Sequence, residues 1–298
     1  MIYKGYHIDL TSEGITVSGV VDFNLDHIFC CGQCFRWEKE DDGSYTGVVK
    51  DSVLNVDYKD GVLILNNSSV EEFINLWFDY FDLGTDYGDI KRKLSNDPIM
   101  EKAIEFGYGI RLLKQDFYET MMSFIISSNN AIPRIKKIVN TLCKTYGKKI
   151  VYKDKEFYTF PDTKSLALPA LEELAVCRAG YRCKYISQTS KMISNKCVDI
   201  NYLKNATFVD ARKELMNFCG IGEKVADCIL LFSGIRFDVF PTDVWVKRVM
   251  EELYFKKQLS LKDITIFSQK LFGQISGYAQ QYLFYYAREK RIGIKKKL

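Results

Sequence analysis

A Gly-Ile-Gly turn at residues 220–222, set between two helix-patterned segments, constrains this chain more than any other stretch. Ala211 to Phe218 reads as one helix. A second begins near Glu223 and carries an apolar stripe at Val225, Ile229 and Phe232. Gly220 and Gly222 can adopt backbone angles that other residues avoid, so the two segments can fold back on each other as a hairpin. The start of the second helix then offers free backbone N–H groups beside the turn, a seat for one phosphate. Lys224 lies in that first turn, where the helix dipole favours anions over an ammonium. A lysine held in such a place is a candidate nucleophile. Further on, Pro241-Thr242-Asp243 reads as a turn that starts another helix. On these residues alone two readings stay open: a catalytic hairpin, or a hairpin that only grips a phosphate while Lys224 is a solvated charge. Asp243 is likewise either a catalytic carboxylate or a plain helix N-cap.

A chain of 298 residues can bury a full core in two domains or one large one. The net charge is only +4, so any nucleic-acid surface must be local. Basic residues cluster at Lys136-Lys137, Lys148-Lys149, Arg178 to Lys184 and Arg288 to Lys297. There is no apolar run of membrane-spanning length and no secretory pattern at Met1-Ile2-Tyr3-Lys4, so a cytoplasmic location is expected, nucleoid-associated if the source is prokaryotic. The nine cysteines then read as reduced thiols. Cys31-x-x-Cys34 lacks a second ligand pair at metal-binding spacing. With His7 and His27 the only histidines, a Ser-His-Asp hydrolase is disfavoured.

Alternation and turn signals dominate residues 1 to 66. The expected strands are Tyr6–Leu10, Gly19–Phe23, Phe35–Glu38, Tyr45–Lys50, Ser52–Tyr58 and Val62–Asn66, with hairpin turns at Lys50-Asp51 and Lys59-Asp60-Gly61. Ser69 and Glu72 form a capping box that starts a helical pattern running to about Phe106. From Asp116 the pattern is helical, with 148–162 expected as a loop and helices expected at about 165–176, 184–194, 208–218, 223–232, 243–253, 261–271 and 277–290. The expected fold is α+β: an N-terminal antiparallel β-sheet domain with helices over 1–110, then a mainly α-helical domain over 111–298 whose late helices can pack back on the first.

Residues four apart on a helix share a face. Lys224 and Cys228 form one such pair, and Gln280 and Phe284 another. A glutamine amide suits the edge of a nucleobase, an aromatic ring its face, and a thiol is a small polarizable surface for the other side. Taken singly, Cys228 and Phe284 would also serve as core residues.

The hairpin with Lys224 and the Pro-x-Asp turn resembles the helix-hairpin-helix, Gly/Pro-Asp motif of base-excision DNA glycosylases. Over nearly its whole length the chain is similar to the 8-oxoguanine DNA glycosylase/lyase family of the eukaryotic-like type. The matching motifs are Gly32-Gln33-x-Phe35-Arg36-Trp37, Ser127-Ser128-Asn129-Asn130, Gly180-Tyr181-Arg182, Lys224-Val225-Ala226-Asp227-Cys228, Pro241-x-Asp243-Val244 and Tyr278-Ala279-Gln280. The resemblance implies a bifunctional enzyme, a DNA N-glycosylase with apurinic/apyrimidinic-site lyase activity. It would act as a monomer on double-stranded DNA containing 8-oxoguanine. Lys224 and Asp243 would be catalytic. The Gly32 carbonyl would accept the N7–H that guanine lacks. Cys228 and Phe284 would sandwich the flipped base while Gln280 reads its edge. Asn129 would fill the gap in the duplex, Tyr181 would wedge it, and Arg134 and Arg182 would bond the orphaned cytosine. Gly220 and Gly222 would seat a phosphate, and the carbonyls of Met216, Phe218 and Ile221 would hold a monovalent cation.

Three departures stand out. Cys34 replaces a hydroxyl residue, Trp245 a histidine and Ala287 that histidine's acidic partner. An iron–sulfur cluster needs four cysteines after the Pro-x-Asp turn, and the last cysteine is Cys228, so no cofactor is expected. The competing readings are an alkylpurine-type glycosylase, which generally lacks the hairpin lysine, and a lesion-binding protein without catalysis.

Overall fold

A computed structural model describes residues 1–195 and 198–294. Lys295 to Lys297 of the C-terminal basic cluster lie outside the described residues. The N-terminal part is a seven-stranded antiparallel sheet built from β1 (Ile2–Tyr3), β2 (Tyr6–Leu10), β3 (Gly14–Ser18), β4 (Trp37–Lys39), β5 (Tyr45–Val49), β6 (Ser52–Lys59) and β7 (Val62–Asn66). Its order is β1-β2-β3-β7-β6-β5-β4. Period-two alternation sets the faces: Ile15 and Val17 on β3 and Leu63 and Leu65 on β7 are buried, and the residues between them face outward.

The expected strand Gly19–Phe23 is not a strand. Gly19 and Asp22 have φ of +89° and +54°, which break extended backbone. The real strand is the preceding Gly14–Ser18, whose Ile15/Val17 alternation pairs it with β2 and β7. The expected loop at 148–162 contains a hairpin, Lys149–Tyr152 with Lys155–Tyr158. Lys153 and Asp154 turn it with φ of +45° and +60°, the two left-handed residues that a tight hairpin needs. The other hairpin turns again use Lys50, and Asp60 with Gly61, at positive φ.

In the helical part, helices Phe117–Ser127, Ile132–Tyr146, Arg182–Asn195, Phe208–Met216, Glu223–Phe232, Leu261–Phe272 and Ser276–Glu289 follow the periodicity closely. The expected helix at 165–176 is two short helices and a 3-10 turn, and Ile200–Asn205 is a further short helix. The helix expected at 243–253 runs α-helically over Val244–Val249 and continues as a π-turn to Phe255.

Two apolar cores result. One fills the sheet and the helix beneath it around Trp37, Trp77 and Phe81. The other fills the helical part, and it also takes in Cys31, Phe35 and the segment from Tyr87 to Leu112. Buried polar groups lock the two together. Gln33, fully buried, donates to the carbonyls of Ile28 (2.9 Å) and Arg111 (2.8 Å) and accepts from Leu113 N–H at 2.9 Å. Arg36 pairs with Glu119 at 3.2 Å between the sheet and helix Phe117–Ser127. Gln281 Nε2 donates to the Cys31 carbonyl at 2.8 Å, so the last helix does pack back on the N-terminal part.

The hairpin itself is pinned by a buried fork. Arg212 on its first helix donates through Nε and Nη2 to the two oxygens of Asp227 on its second, both at 2.8 Å. Removing one partner of such a pair strands the other charge. Asp227→Ala is therefore expected to lower unfolding stability at neutral pH by about 3 kcal/mol. Urea denaturation checks this, and an unchanged midpoint would show that the fork does not hold the hairpin.

Candidate active site

Helices Phe117–Ser127, Glu223–Phe232 and Ser276–Glu289, the Cys31–Gly32 turn and the Pro241–Asp243 turn converge on one cleft of about 590 Å³ including its mouth. Lys224, Asp243, Gly32, Cys228, Gln280 and Phe284 all line it, so six residues chosen from four separate motifs meet in one place.

Lys224 rises from the first turn of its helix, half-buried, with Nζ 5.4 Å from the Phe124 ring centre. Phe124 is held by stacking on Phe232 at 5.2 Å. One turn on, Cys228 is buried, and burial pushes its thiol up to about 11. It therefore stays a neutral wall beside the lysine rather than a competing nucleophile. Asp243 is the N-cap of helix Val244–Val249: Oδ1 accepts from the N–H groups of Trp245 and Val246, each at 2.9 Å. Capping and lining the cleft are thus not alternatives, because one oxygen caps and Oδ2 is left for the cleft. Burial pushes the Asp243 carboxyl above its usual range; the two N–H bonds and the charges of Lys224 and Arg288 pull it back.

Gly32 has φ +81°, and a Cβ there would stand 3.1 Å from the Phe284 ring. Gln280 is buried with its Oε1 unpaired, an acceptor facing no protein donor. Unpaired buried amides are rare enough to require a reason, and a bound ligand is one.

Gly220 also needs its glycine: φ is +81°, and a Cβ would meet Tyr185 at 2.7 Å. Gly222 does not, since its φ is −101° and nothing lies within 4 Å. It is an exposed N-cap without a side-chain bond, which leaves the helix-start N–H groups open. In the turn, the Phe218 carbonyl accepts from Ile221 N–H at 3.3 Å. No donor engages the Met216 or Ile221 carbonyl among the described residues, which leaves their lone pairs open. No group of three or more His, Cys, Asp or Glu is placed to hold a metal among the described residues. Cys31 instead donates its thiol to the Ile28 carbonyl at 3.2 Å.

Asn129, Arg134 and Tyr181 are exposed, and none of the three lines the cleft. Arg182 is not free in the same way. It is buried, and four of its N–H contacts go to carbonyls of Ser128, Asn129 and Ala179, the first at 3.0 and 2.5 Å. The sequence signals missed this anchoring, and they missed Gln281 and Arg288, because these two side chains pair with carbonyls 250 and 258 residues away in the chain. Of the departures, Ala287 is fully buried, with no room for an acid, and the Trp245 ring carries the Arg248 guanidinium at 5.0 Å.

A hairpin lysine and a capping aspartate lining one cleft on this fold define a helix-hairpin-helix DNA glycosylase. The 8-oxoguanine DNA glycosylase N-terminal domain matches residues 16–121, and the HhH-GPD superfamily of base excision DNA repair proteins matches residues 122–273. The chain belongs to that superfamily, in the branch that carries the 8-oxoguanine glycosylase N-terminal domain. It is 44% identical to the Clostridium acetobutylicum 8-oxoguanine glycosylase/lyase solved with dsDNA containing cytosine opposite to 8-oxoG (TM-score 0.93, covering 96% of this chain and 99% of that one). It is 46% identical to MBOgg1, solved in complex with a low-affinity DNA ligand (TM-score 0.93, 96% and 99%). The N-glycosylase/DNA lyase of Saccharomyces cerevisiae is 34% identical over 212 residues, 59% of this chain and 56% of that protein.

Replacing Gly32 by Ala forces a side chain into the left-handed region at a cost of about 1–2 kcal/mol, and it drives the Phe284 ring off the turn. Gly32→Ala is expected to lower the unfolding midpoint and to abolish binding of the nucleoside 8-oxodeoxyguanosine. A variant that keeps both would mean the Gly32–Phe284 approach is incidental.

Proposed function

We propose that this enzyme removes 8-oxoguanine from double-stranded DNA through a covalent lysine intermediate and then cuts the strand. The single observation that carries the reading is the sharing of one cleft by Lys224, Asp243 and the base-slot residues Gly32, Cys228, Gln280 and Phe284. The target carbon is unreachable inside stacked DNA, so the nucleotide must be extruded into the slot. There the Gly32 carbonyl accepts the lesion's N7–H. Guanine would set two acceptors against each other, which is how one hydrogen bond discriminates. Gln280 supplies its unpaired carbonyl to the base edge, and Phe284 and Cys228 flank the ring faces.

Lys224, as the free amine, attacks C1′ of the deoxyribose. The bond from C1′ to the base nitrogen breaks, and its electron pair leaves with the base. Asp243, as carboxylate, stabilises the cationic sugar in the water-poor cleft. Ring opening gives a protonated Schiff base on Lys224, which acidifies C2′. Loss of that proton expels the 3′ phosphate by β-elimination. Asn129 and Tyr181 fill and wedge the duplex, Arg134 reads the opposite cytosine, and Arg182 adds its remaining N–H there. The open N–H groups at Gly222 seat a backbone phosphate, with Gly220 making the turn and a monovalent cation at Met216, Phe218 and Ile221 bracing it. The division near residue 110, monomeric action and a location with the chromosome belong to the same reading. No described helix is long and apolar enough to cross a membrane.

Borohydride trapping tests the core of this. The wild-type chain should form a covalent adduct with an 8-oxoguanine:C duplex, Lys224→Gln none, and an 8-oxoguanine:A duplex markedly less. Base loss without an adduct would point to a glycosylase using water, and tight binding without base loss to a lesion sensor. Equal yields on the two duplexes would remove the role given to Arg134.

The raised Asp243 carboxyl sets the sign of the acid limb. Activity requires the ionised form, so single-turnover rates should fall with decreasing pH at values above those of an ordinary aspartate, about 3.9. Asp243→Asn should lower the rate by roughly 100-fold or more and erase that limb. A limb that survives in Asp243→Asn belongs to another group.

A further inference from the structure

We propose that Arg288 is an additional specificity-determining residue of this pocket, its guanidinium Nη1 donating to an oxygen of the extruded nucleotide. The inference rests on the base-excision reading above. Arg288 follows Phe284 by one turn and Gln280 by two on helix Ser276–Glu289, so the three share a face. Its Nη2 donates to the Cys30 carbonyl, and Nε and Nη2 reach Glu289 at 2.9 and 2.8 Å. Nη1 is different: it is buried and has no hydrogen-bond partner. An unpaired buried donor is costly, and more so on a cation.

Its position says what could complete it. Nη1 lies 3.4 Å from where a Gly32 Cβ would stand, and the guanidinium lies 5.3 Å from the Phe284 ring centre. The Gly32 turn, the Phe284 ring and the unpaired donor therefore adjoin one another, with Arg288 behind the cleft lining rather than in it. The Phe284 ring is only half-buried, and a base entering beside it would displace it and uncover Nη1. A guanidinium N–H takes an oxygen of high electron density. Two oxygens of the nucleotide qualify. One is the C8 oxygen of the lesion, next to the N7–H assigned to Gly32 and replaced by C–H in guanine. The other is a non-bridging oxygen of the flanking phosphate.

Equilibrium titration of the full chain separates them with two probes: 8-oxodeoxyguanosine, which has no phosphate, and a duplex carrying a tetrahydrofuran abasic site, which has no base. Arg288→Ala should weaken one probe about tenfold or more while leaving the other within twofold. Loss on the nucleoside assigns the C8 oxygen, and loss on the abasic duplex the phosphate. Unchanged affinity for both overturns the proposal. So does a loss on both that Arg288→Lys fully restores, since a lysine keeps a donor for the Cys30 carbonyl and would show that Arg288 only props the turn. Failure of the wild-type chain to bind either probe would instead remove the functional reading itself.

Discussion

The base slot exists because the last helix docks on a turn near the start of the chain. Gln281 reaches the Cys31 carbonyl at 2.8 Å across 250 residues of sequence, inside the core. The Arg288 guanidinium holds the neighbouring Cys30 carbonyl. These bonds bring Gly32, from one half of the chain, against Phe284 from the other. The discrimination proposed for the Gly32 carbonyl needs a fixed position, and side chains of the helix that carries Phe284 fix the carbonyls of the two residues before Gly32. Losing the Gln281 bond would leave a buried carbonyl unmet, a penalty of about 1–3 kcal/mol, so the docked arrangement is strongly preferred.

The same economy governs the charges. The chain is only slightly basic, and the chemistry uses placement rather than net charge. Lys224 sits at the end of its helix that repels a cation, with an aromatic ring on one side and a neutral thiol one turn away. Asp243 is held by two backbone N–H groups at another helix start and faces the same cleft. An amine and a fixed carboxylate lining one cleft are placed for attack on a carbon that becomes cationic. Between them, the bidentate Arg212–Asp227 fork keeps the hairpin from shifting the lysine relative to the slot.

Much of this was legible in the sequence because it depends on short-range signals. Helical spacing placed Lys224 with Cys228 and Gln280 with Phe284, and the structure puts all four on one cleft. Turn chemistry found the hairpins at Lys50 and Asp60-Gly61 but passed over Lys153-Asp154, whose positive-φ pair is of the same kind. The apolar run after Gly19 mimics a strand and masks the one at Gly14–Ser18, because alternation carries no sign of the left-handed angles at Gly19 and Asp22. What could not be read was long-range pairing. Nothing local to Gln33 says that its amide bridges Ile28, Arg111 and Leu113, and nothing local to Arg182 says that its fork turns inward.

That inward turn changes how the opposite strand is met. Asn129 has φ +48°, a left-handed conformation that costs an ordinary residue about 1 kcal/mol. Arg182 offsets it by donating to the carbonyls of Ser128 and Asn129 on either side of that strained bond. The loop proposed to enter the gap in the duplex is therefore shaped before DNA arrives, which lowers the ordering cost of binding. The consequence falls on Arg134. With most of the Arg182 fork engaged inside the protein, exposed Arg134 in the first turn of its helix is the side chain with a whole guanidinium to offer a cytosine. Tyr181, exposed and with the Arg182 guanidinium 4.5 Å from its ring centre, is held at the same edge by the same arginine. One buried cation thus orders both Asn129 and Tyr181, the residues proposed to fill and wedge the duplex, and leaves the proposed contact with the orphaned base mainly to Arg134.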